Sequence, residues 1–321
     1  MAQIQELTSN AKLIMPVAIL DFGTNTFNLL IAEKNGKSFR VLYDGKEPVK
    51  LGKGGINKGV ITPEAMERGF SAIANHMKTI ESFGANEIRA FATSAMRNAA
   101  NGKEFVKRVK EQFGFRTRII DGDEEAALIF GGIRESVDFS SETAMIMDIG
   151  GGSVEFIICN GEGIFWKRSF ELGMARIIEK FAISDPITKN QIFSIENYYE
   201  AELNALFEQA KQYQPSLLVG ASGTFDTLAA MAKHRFGLRS SDNSSSLEIA
   251  LAQFHELHGL LLQSTAEERM KMPGMEPVRV EMIVPAVIFI NFVCNKCNLQ
   301  TIIQSRYALK EGAMARMVKH K

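Results

Sequence analysis

The fold of this chain is decided by two similar stretches, VAILDFGTNTFNLLI (17–31) and AMIMDIGGGSVEFII (144–158). Each opens with an apolar run that predicts a buried strand, passes an acidic residue and a turn of small residues, and returns as a second apolar strand. At an offset of 127 residues, Asp21 aligns with Asp148 and Gly23 with Gly150. Because this period is as long as a domain, the repeat predicts two related α/β domains that face each other.

The remaining elements fit an alternation of strands and helices. Thr62 and Pro63 predict the start of a helix, with Thr62 as its N-cap. Further helices are predicted at 123–135, 189–212, 225–236, 247–262, 278–293 and 309–319, and a polar loop at 240–246. We expect a first domain at 1–122 and a second at 123–307, with the helix 308–321 packing back on the first.

Composition excludes several classes of protein. Of 321 residues, 45% are hydrophobic and 23% charged, which argues against a disordered chain. Basic and acidic residues both number 37, so a large basic nucleic-acid surface is not expected. Three cysteines are too few for a disulfide framework, and Cys294 and Cys297 alone make half a zinc site at best. With neither a membrane span nor a leader-like N-terminus, we expect a cytoplasmic protein without nucleic-acid or membrane partners.

Three turns of small residues predict an anion site. The turns after Asp21 and Asp148 are joined by a third, Gly-Ala-Ser-Gly-Thr at 220–224, which lies between a strand and a helix. Small residues let backbone N–H groups approach an anion, and each acid could hold a divalent cation that binds phosphate. One such turn alone is more simply an ordinary strand end, but the three together favour phosphate binding.

Other candidate residues are ambiguous from spacing alone. Asp123, Glu124 and Glu125 open a helix, where carboxylates suit the helix dipole, yet one of them could face the cleft as a general base. Arg97 could bind phosphate or lie on the surface. A glycine-rich segment carries four lysines that either gather a polyanion or are simply solvated. They are Lys46, Lys50, Lys53 and Lys58.

Eight stretches together resemble the exopolyphosphatase and guanosine pentaphosphate phosphohydrolase (Ppx/GppA) family, in its short two-domain form. They are DFGTNTFNLLI (21–31), TSAMRNAAN (93–101), IDGDEEAALIFGGI (120–133), MDIGGGSVEF (147–156), ELGMARI (171–177), VGASGTFDTLA (219–229), PGMEPVRVEMIV (273–284) and ALKEGAMARM (308–317). The resemblance implies an α/β fold of two ribonuclease H-like domains, as in the actin-like ATPase superfold, facing a central cleft.

The resemblance also implies roles for individual residues. Glu125 matches the catalytic base, and Asp148 and Glu155 match acids of a Mg²⁺ site to which Asp21 could contribute, with Mn²⁺ as an alternative metal. Phosphate contacts are implied for Asn25, Arg97, Gly150, Gly151, Gly152 and Ser153, and more loosely for Thr24, Thr26, Ser222, Gly223 and Thr224. Lys53 and its neighbours would guide the rest of the substrate. Where the family commonly has Arg-Ala-Asp, this chain has Arg279-Val280-Glu281, and no cleft role is predicted for that helix.

The expected activity is that of an exopolyphosphatase, which removes the terminal phosphate of inorganic polyphosphate with Mg²⁺ and a water activated by Glu125. One alternative is a guanosine pentaphosphate 5′-phosphohydrolase, which shares the same chemistry. Another is a catalytically weak protein that binds alarmones or polyphosphate. A sugar kinase of the same superfold is less favoured, because the residues around Glu125 match the phosphatase branch. The resemblance also suggests a homodimer.

Overall fold

The computed structural model describes residues 15–139, 142–239 and 245–319, and each duplicated stretch begins one of two β-sheets. The first sheet comprises β1 (Val17–Phe22), β2 (Thr26–Asn35), β3 (Ser38–Pro48), β4 (Glu87–Ala92) and β5 (Thr117–Ile119). Their spatial order is β3-β2-β1-β4-β5, and β2 runs antiparallel to both of its neighbours. This arrangement agrees with the predicted ribonuclease H-like domain.

The second sheet repeats the first. It comprises β6 (Ala144–Ile149), β7 (Val154–Cys159), β8 (Ile164–Phe170), β9 (Leu217–Ala221), β10 (Ser246–Ala250) and β11 (Thr301–Ser305), in the order β10-β11-β9-β6-β7-β8. The arrangement of the first sheet is reproduced by five neighbouring strands in the spatial order β8-β7-β6-β9-β11. The sixth strand, β10, adds an antiparallel edge strand. The predicted duplication is therefore confirmed.

Twelve helices are found in the described residues. They are α1 (Pro63–Ser82), α2 (Ser94–Asn98), α3 (Gly102–Phe113), α4 (Gly122–Ile133), α5 (Met174–Phe181), α6 (Lys189–Glu202), α7 (Asn204–Tyr213), α8 (Ser222–Phe236), α9 (Leu251–Gln263), α10 (Ala266–Lys271), α11 (Ile283–Cys297) and α12 (Leu309–Lys319). As predicted, the Thr62 side chain caps α1 by accepting a hydrogen bond from the backbone N–H of Ala65. We call the first sheet with α1–α3 lobe I, and the second sheet with α5–α11 lobe II.

Three predicted helices of lobe II differ from the structure. The helix at 189–212 is interrupted at Leu203, which lies between α6 and α7. The prediction of a helix at 247–262 was wrong over its first residues. Ser246–Ala250 is instead a strand, which alternates buried and exposed side chains and pairs with β11. The helix at 278–293 begins later, at Ile283, after a 3₁₀ turn at Pro277–Arg279. Most of the predicted loop at 240–246 lies outside the described residues.

The two lobes are joined by an apolar layer that includes α4 and α12. Side chains from both sheets, such as Ile19 and Ile146, belong to one buried cluster with these helices. The two helices approach closely at Gly132 and Gly312, because a Cβ on Gly312 would collide with the carbonyl oxygen of Leu128. This contact fixes α4, which carries Glu125, between the lobes. In the part of the chain that the structure describes, no helix has the length and apolar character to cross a membrane.

Candidate active site

The three predicted turns meet in one cavity of about 330 Å³ between the lobes. Most of the predicted site residues line it: Asp21, Thr24, Asn25, Thr26, Glu125, Asp148, Gly150, Gly151, Gly152, Ser153, Glu155, Ser222 and Gly223. Of the other three, Arg97 reaches the cavity through its contact with Glu125, and Thr224 is buried in the first turn of α8. Lys53 is exposed and lies outside the lining.

The turns of the two lobes touch each other, and small residues make this possible. A Cβ on Gly152 would lie 2.5 Å from the hydroxyl of Thr24, and a Cβ on Gly151 would overlap the amide of Asn25. Within the described residues, the backbone N–H groups of Gly151 and Gly152 have no hydrogen-bond acceptor. Unsatisfied N–H groups in a narrow cavity suit the oxygens of an anion such as phosphate.

Asp148 and Glu155 form a pair of carboxylates on the lobe II side. They lie directly opposite each other on β6 and β7, which brings cross-strand side chains close together. Burial and the charge of Asp148 raise the pKa of Glu155 to about 7, although hydroxyls of Ser169 and Ser153 each donate to its Oε1 at 2.7 Å. Burial likewise raises the pKa of Asp148 to about 6, against a hydrogen bond from Ser222.

Asp21 is the equivalent acid in lobe I, but its neighbour differs. The residue opposite Asp21 on β2 is Asn28, whose Nδ2 donates to Oδ2 of Asp21 at 2.9 Å. Burial raises the pKa of Asp21 to about 6, and the hydrogen bond from Asn28 acts in the opposite direction.

Glu125 is the carboxylate of α4 that faces the cavity. Its Oε2 accepts a hydrogen bond of 2.6 Å from Nη1 of Arg97, which also donates to the carbonyl oxygen of Ile120. Burial and the charge of Glu155 raise the pKa of Glu125 well above its usual range, against the effect of Arg97. The neighbouring carboxylates face outward, since Asp123 pairs with Lys167 and Glu124 with Arg118.

Arg279 is a cationic group of the site that the sequence analysis missed. It is buried in the cavity wall, its guanidinium lies against Gly223, and its Nε has no hydrogen-bond partner in the described part of the chain. Burial lowers its pKa despite the nearby charges of Glu276, Asp226 and Asp148. The signal was present, because Arg279 is the one residue of the family's Arg-Ala-Asp that this chain retains.

Asp226 was also missed. It lines the cavity one turn into α8, and Gln304 donates a hydrogen bond of 2.8 Å to it. Burial raises its pKa to about 6. The thiol of Cys294, by contrast, lies in the lobe II core, where burial raises its pKa to about 12.

The charge of the cavity favours a cation. Its lining holds seven carboxylates and four cationic side chains, the latter being Lys46, Arg279, Arg306 and Lys310. Within the described ranges, no three His, Cys, Asp or Glu side chains cluster as a metal site. Mg²⁺ needs no such cage, because it binds one or two carboxylates and completes its shell with water and phosphate oxygens. The oxygen donors of Asp148 and Glu155 fit that requirement.

Comparison with known proteins shows which family the fold belongs to. A sequence model of the Ppx/GppA phosphatase family matches residues 30–321. The crystal structure of an exopolyphosphatase from Cytophaga hutchinsonii is 36% identical and superposes with a TM-score of 0.92, covering 95% of this chain and 98% of that one. A family member from Aquifex aeolicus, at 23% identity and a TM-score of 0.77, covers 95% of this chain and 98% of its own and shares the fold.

Two further relatives are similar in sequence. Exopolyphosphatase 1 of Mycobacterium leprae is 27% identical over 306 residues, which cover 94% of this chain and 89% of that protein. A bifunctional 3-dehydroquinate synthase/phosphatase of Fusobacterium nucleatum is 28% identical over 315 residues. That alignment covers 95% of this chain but 47% of the longer protein, so the chain spans about half of it. With the family model matched over most of its length, the chain belongs to the Ppx/GppA phosphatase family.

Proposed function

We propose that the protein is an exopolyphosphatase that hydrolyses the terminal phosphoanhydride of inorganic polyphosphate and releases orthophosphate. One observation carries the proposal: Glu125, held on one oxygen by Arg97, lines the same cavity as the glycine turn and the Asp148–Glu155 pair. A carboxylate suited to act as a general base, a turn suited to bind an anion and an acid pair suited to bind a cation thus lie within one small volume, which supports the proposal. The exopolyphosphatases of Cytophaga hutchinsonii and Mycobacterium leprae support the substrate class by their similarity.

The terminal phosphate would lie against the turn at 150–153. The free N–H groups of Gly151 and Gly152 would donate to its oxygens, and such preorganised donors stabilise charge that develops during the reaction. Arg279, with an unsatisfied Nε, would supply a cation in the lining of the same cavity. The bridging oxygen of the broken anhydride leaves on the shortened chain.

Glu125 would take the proton of the attacking water. Arg97 engages Oε2, so the carboxylate is held in place while Oε1 accepts the proton. The raised pKa that burial gives Glu125 makes it a stronger base once it is ionised. From its place beside Glu125, Arg97 would also stabilise negative charge on the phosphoryl group as it is transferred to water.

Asp148 and Glu155 would hold a Mg²⁺ ion, or Mn²⁺ through the same oxygen donors. When bound, the ion would neutralise charge on the terminal phosphate, which the acidic lining would otherwise repel. Ser153 and Ser169 keep the Glu155 carboxylate oriented through their hydroxyls.

The cavity favours polyphosphate over guanosine pentaphosphate. Its described lining contains no aromatic side chain on which a guanine base could stack, and most of it is charged, polar or glycine. We therefore expect kcat/KM for polyphosphate to exceed that for guanosine pentaphosphate when the two are compared with the same preparation. A protein that only binds these ligands would turn over neither.

The test is phosphate release from long-chain polyphosphate with Mg²⁺ by wild type and Glu125→Gln. Loss of the base should lower kcat by about 10²–10⁴-fold. The matched control is Glu124→Gln, which removes the neighbouring carboxylate that pairs with Arg118 at the surface and should leave the rate unchanged. Equal rates for wild type and Glu125→Gln would refute the assignment.

A further inference from the structure

A segment of lobe II, residues 276–282, is fastened to lobe I by three contacts beside the cavity. Lys46 Nζ bonds to Oε1 of Glu276 at 2.8 Å, and Lys50 Nζ bonds to Oε2 of Glu281 at 3.0 Å. Near its end, Met282 accepts a hydrogen bond from the amide of Asn25. The segment therefore brings two carboxylates onto two lysines of the opposite lobe.

One of the two lysines lines the cavity and the other lies outside its lining. Lys46 lines the cavity and is 41% exposed, whereas Lys50 is equally exposed but lies outside the lining. Arg279, in the middle of the same lobe II segment, is buried in the cavity wall. The site thus has a buried cationic group in its wall, and two exposed cationic groups pair with the segment that carries it.

Both ion pairs are of the kind that a competing anion can break. Their partners are well exposed, with Glu281 at 69%, and pairs between exposed side chains contribute little. A carboxylate offers each lysine a single negative charge. A chain of phosphates offers one charge per unit along its whole length, and lysine binds phosphate oxygens well.

We propose that Lys46 and Lys50 bind phosphates of the substrate chain behind the terminal one, and that Glu276 and Glu281 are counter-ions which the chain displaces. This inference rests on the proposed function. The two glutamates occupy the lysines in the free protein and so disfavour anions too short to compete at both positions. Substrate length is thereby selected at the edge of the site, apart from the residues that act on the terminal phosphate.

A purely structural role for the pairs predicts the opposite response. If they serve only to hold the lobes together, removing the glutamates would loosen the cavity and weaken binding of every substrate. If they are counter-ions, removing them frees both lysines and strengthens binding of long chains.

The experiment measures polyphosphate binding in the Glu125→Gln background, where hydrolysis does not intervene. Isothermal titration with medium-chain polyphosphate and with tripolyphosphate is compared before and after adding Glu276→Gln and Glu281→Gln. We expect the long chain to bind about three- to tenfold more tightly and tripolyphosphate to change by less than about twofold. Added salt should weaken the gain, because the freed lysines are screened.

The matched control carries Glu111→Gln and Glu267→Gln, which change the net charge by the same amount. These two glutamates pair with Lys107 and Lys271 on exposed helices. The affinity of this control variant for polyphosphate should stay unchanged. The double variant Lys46→Met with Lys50→Met should bind long chains more weakly. Unchanged or weaker long-chain binding without the two glutamates would overturn the inference. A wild type that binds in this way but releases no phosphate would instead refute the proposed hydrolysis.

Discussion

The two lobes have the same strand arrangement, but they differ in one row of side chains that runs across three neighbouring strands. Across β1, β2 and β3 of lobe I, the row reads Asp21, Asn28 and Lys46. Across β6, β7 and β8 of lobe II, the same row reads Asp148, Glu155 and Ser169. The first row therefore combines one negative charge with one positive charge, whereas the second holds two negative charges and no cation.

This difference assigns different work to two similar turns. In lobe I, a hydrogen bond from Asn28 and the charge of Lys310 act on Asp21, and Lys46 ends the row beside the cavity. In lobe II, the pKa of Glu155 rises to about 7 through its burial and the second buried carboxylate that lies opposite. Lobe II is thus suited to hold a cation beside the turn at 150–153, and Lys46 of lobe I to meet the rest of the substrate chain.

The largest expected difference is in activity. Asp148→Asn should lower kcat/KM for polyphosphate by about 10²–10⁴-fold, since it removes a carboxylate proposed to hold the metal ion. Asp21→Asn should lower kcat/KM by only about tenfold, because one oxygen of the Asp21 carboxylate is already engaged by a hydrogen bond from Asn28. Phosphate release at saturating Mg²⁺ measures both variants.

The replacements are nearly isosteric, and the amide oxygen introduced by Asp148→Asn could still accept the hydrogen bond from Ser222. Neither variant should therefore unfold at a lower temperature than wild type. Equal losses of activity in the two variants would mean that the rows act alike, and the contrast between the lobes would have no functional meaning.

A second difference concerns stability without metal. The pKa of Glu155 is raised in the folded protein, so its stabilising contribution is present below its ordinary value of 4.5 and is lost as pH rises through about 7. Glu155→Gln should therefore leave the free energy of unfolding almost unchanged at pH 4 and raise it by about 1–3 kcal/mol at pH 8. Chemical denaturation with a chelator present, from pH 4 to 8, measures this.

Asp21→Asn provides the comparison in lobe I. Its benefit should develop between about pH 3.8 and 6 and then stay constant, because the pKa of Asp21 rises to about 6. A gain between pH 6 and 8 that is as large for Asp21→Asn as for Glu155→Gln would contradict the contrast between the two rows.

The sequence predicted the fold well where local pattern and tertiary structure agree. The bounds of α12 match the predicted helix at 309–319 to the residue, because its helical spacing and its packing favour the same element. The prediction was wrong at 246–250, where a short edge strand joins directly to α9 and only pairing with β11 distinguishes it from a helix.

The site was predicted in part for the same reason. The sequence pattern predicted the hairpin that carries Asp148 and Glu155 and singled out Asp148, whereas Glu155 was named only by the resemblance to a family. Spacing could not choose among Asp123, Glu124 and Glu125, and only the resemblance to a family did so. Ser169 and Arg279 reach the site through register and long-range packing, which a local pattern does not contain.

The smallest expected effect tests the last member of the lobe II row. Ser169→Ala removes one of the two hydroxyls that hold Glu155 and so raises the pKa of that carboxylate further. The acidic limb of the kcat/KM profile should move up by about 0.5–1 pH unit, with a loss of about three- to tenfold near pH 6 and almost none at pH 9. The control Ser71→Ala removes a surface hydroxyl on α1 and should leave the profile in place.

Ser169 also accepts a contact of 3.5 Å from Arg97. A loss of activity that is the same at every pH would therefore mean that Ser169 acts by positioning the Arg97 guanidinium. The shape of the profile, more than the size of the loss, therefore decides whether Ser169 acts through the acid pair that distinguishes lobe II from lobe I.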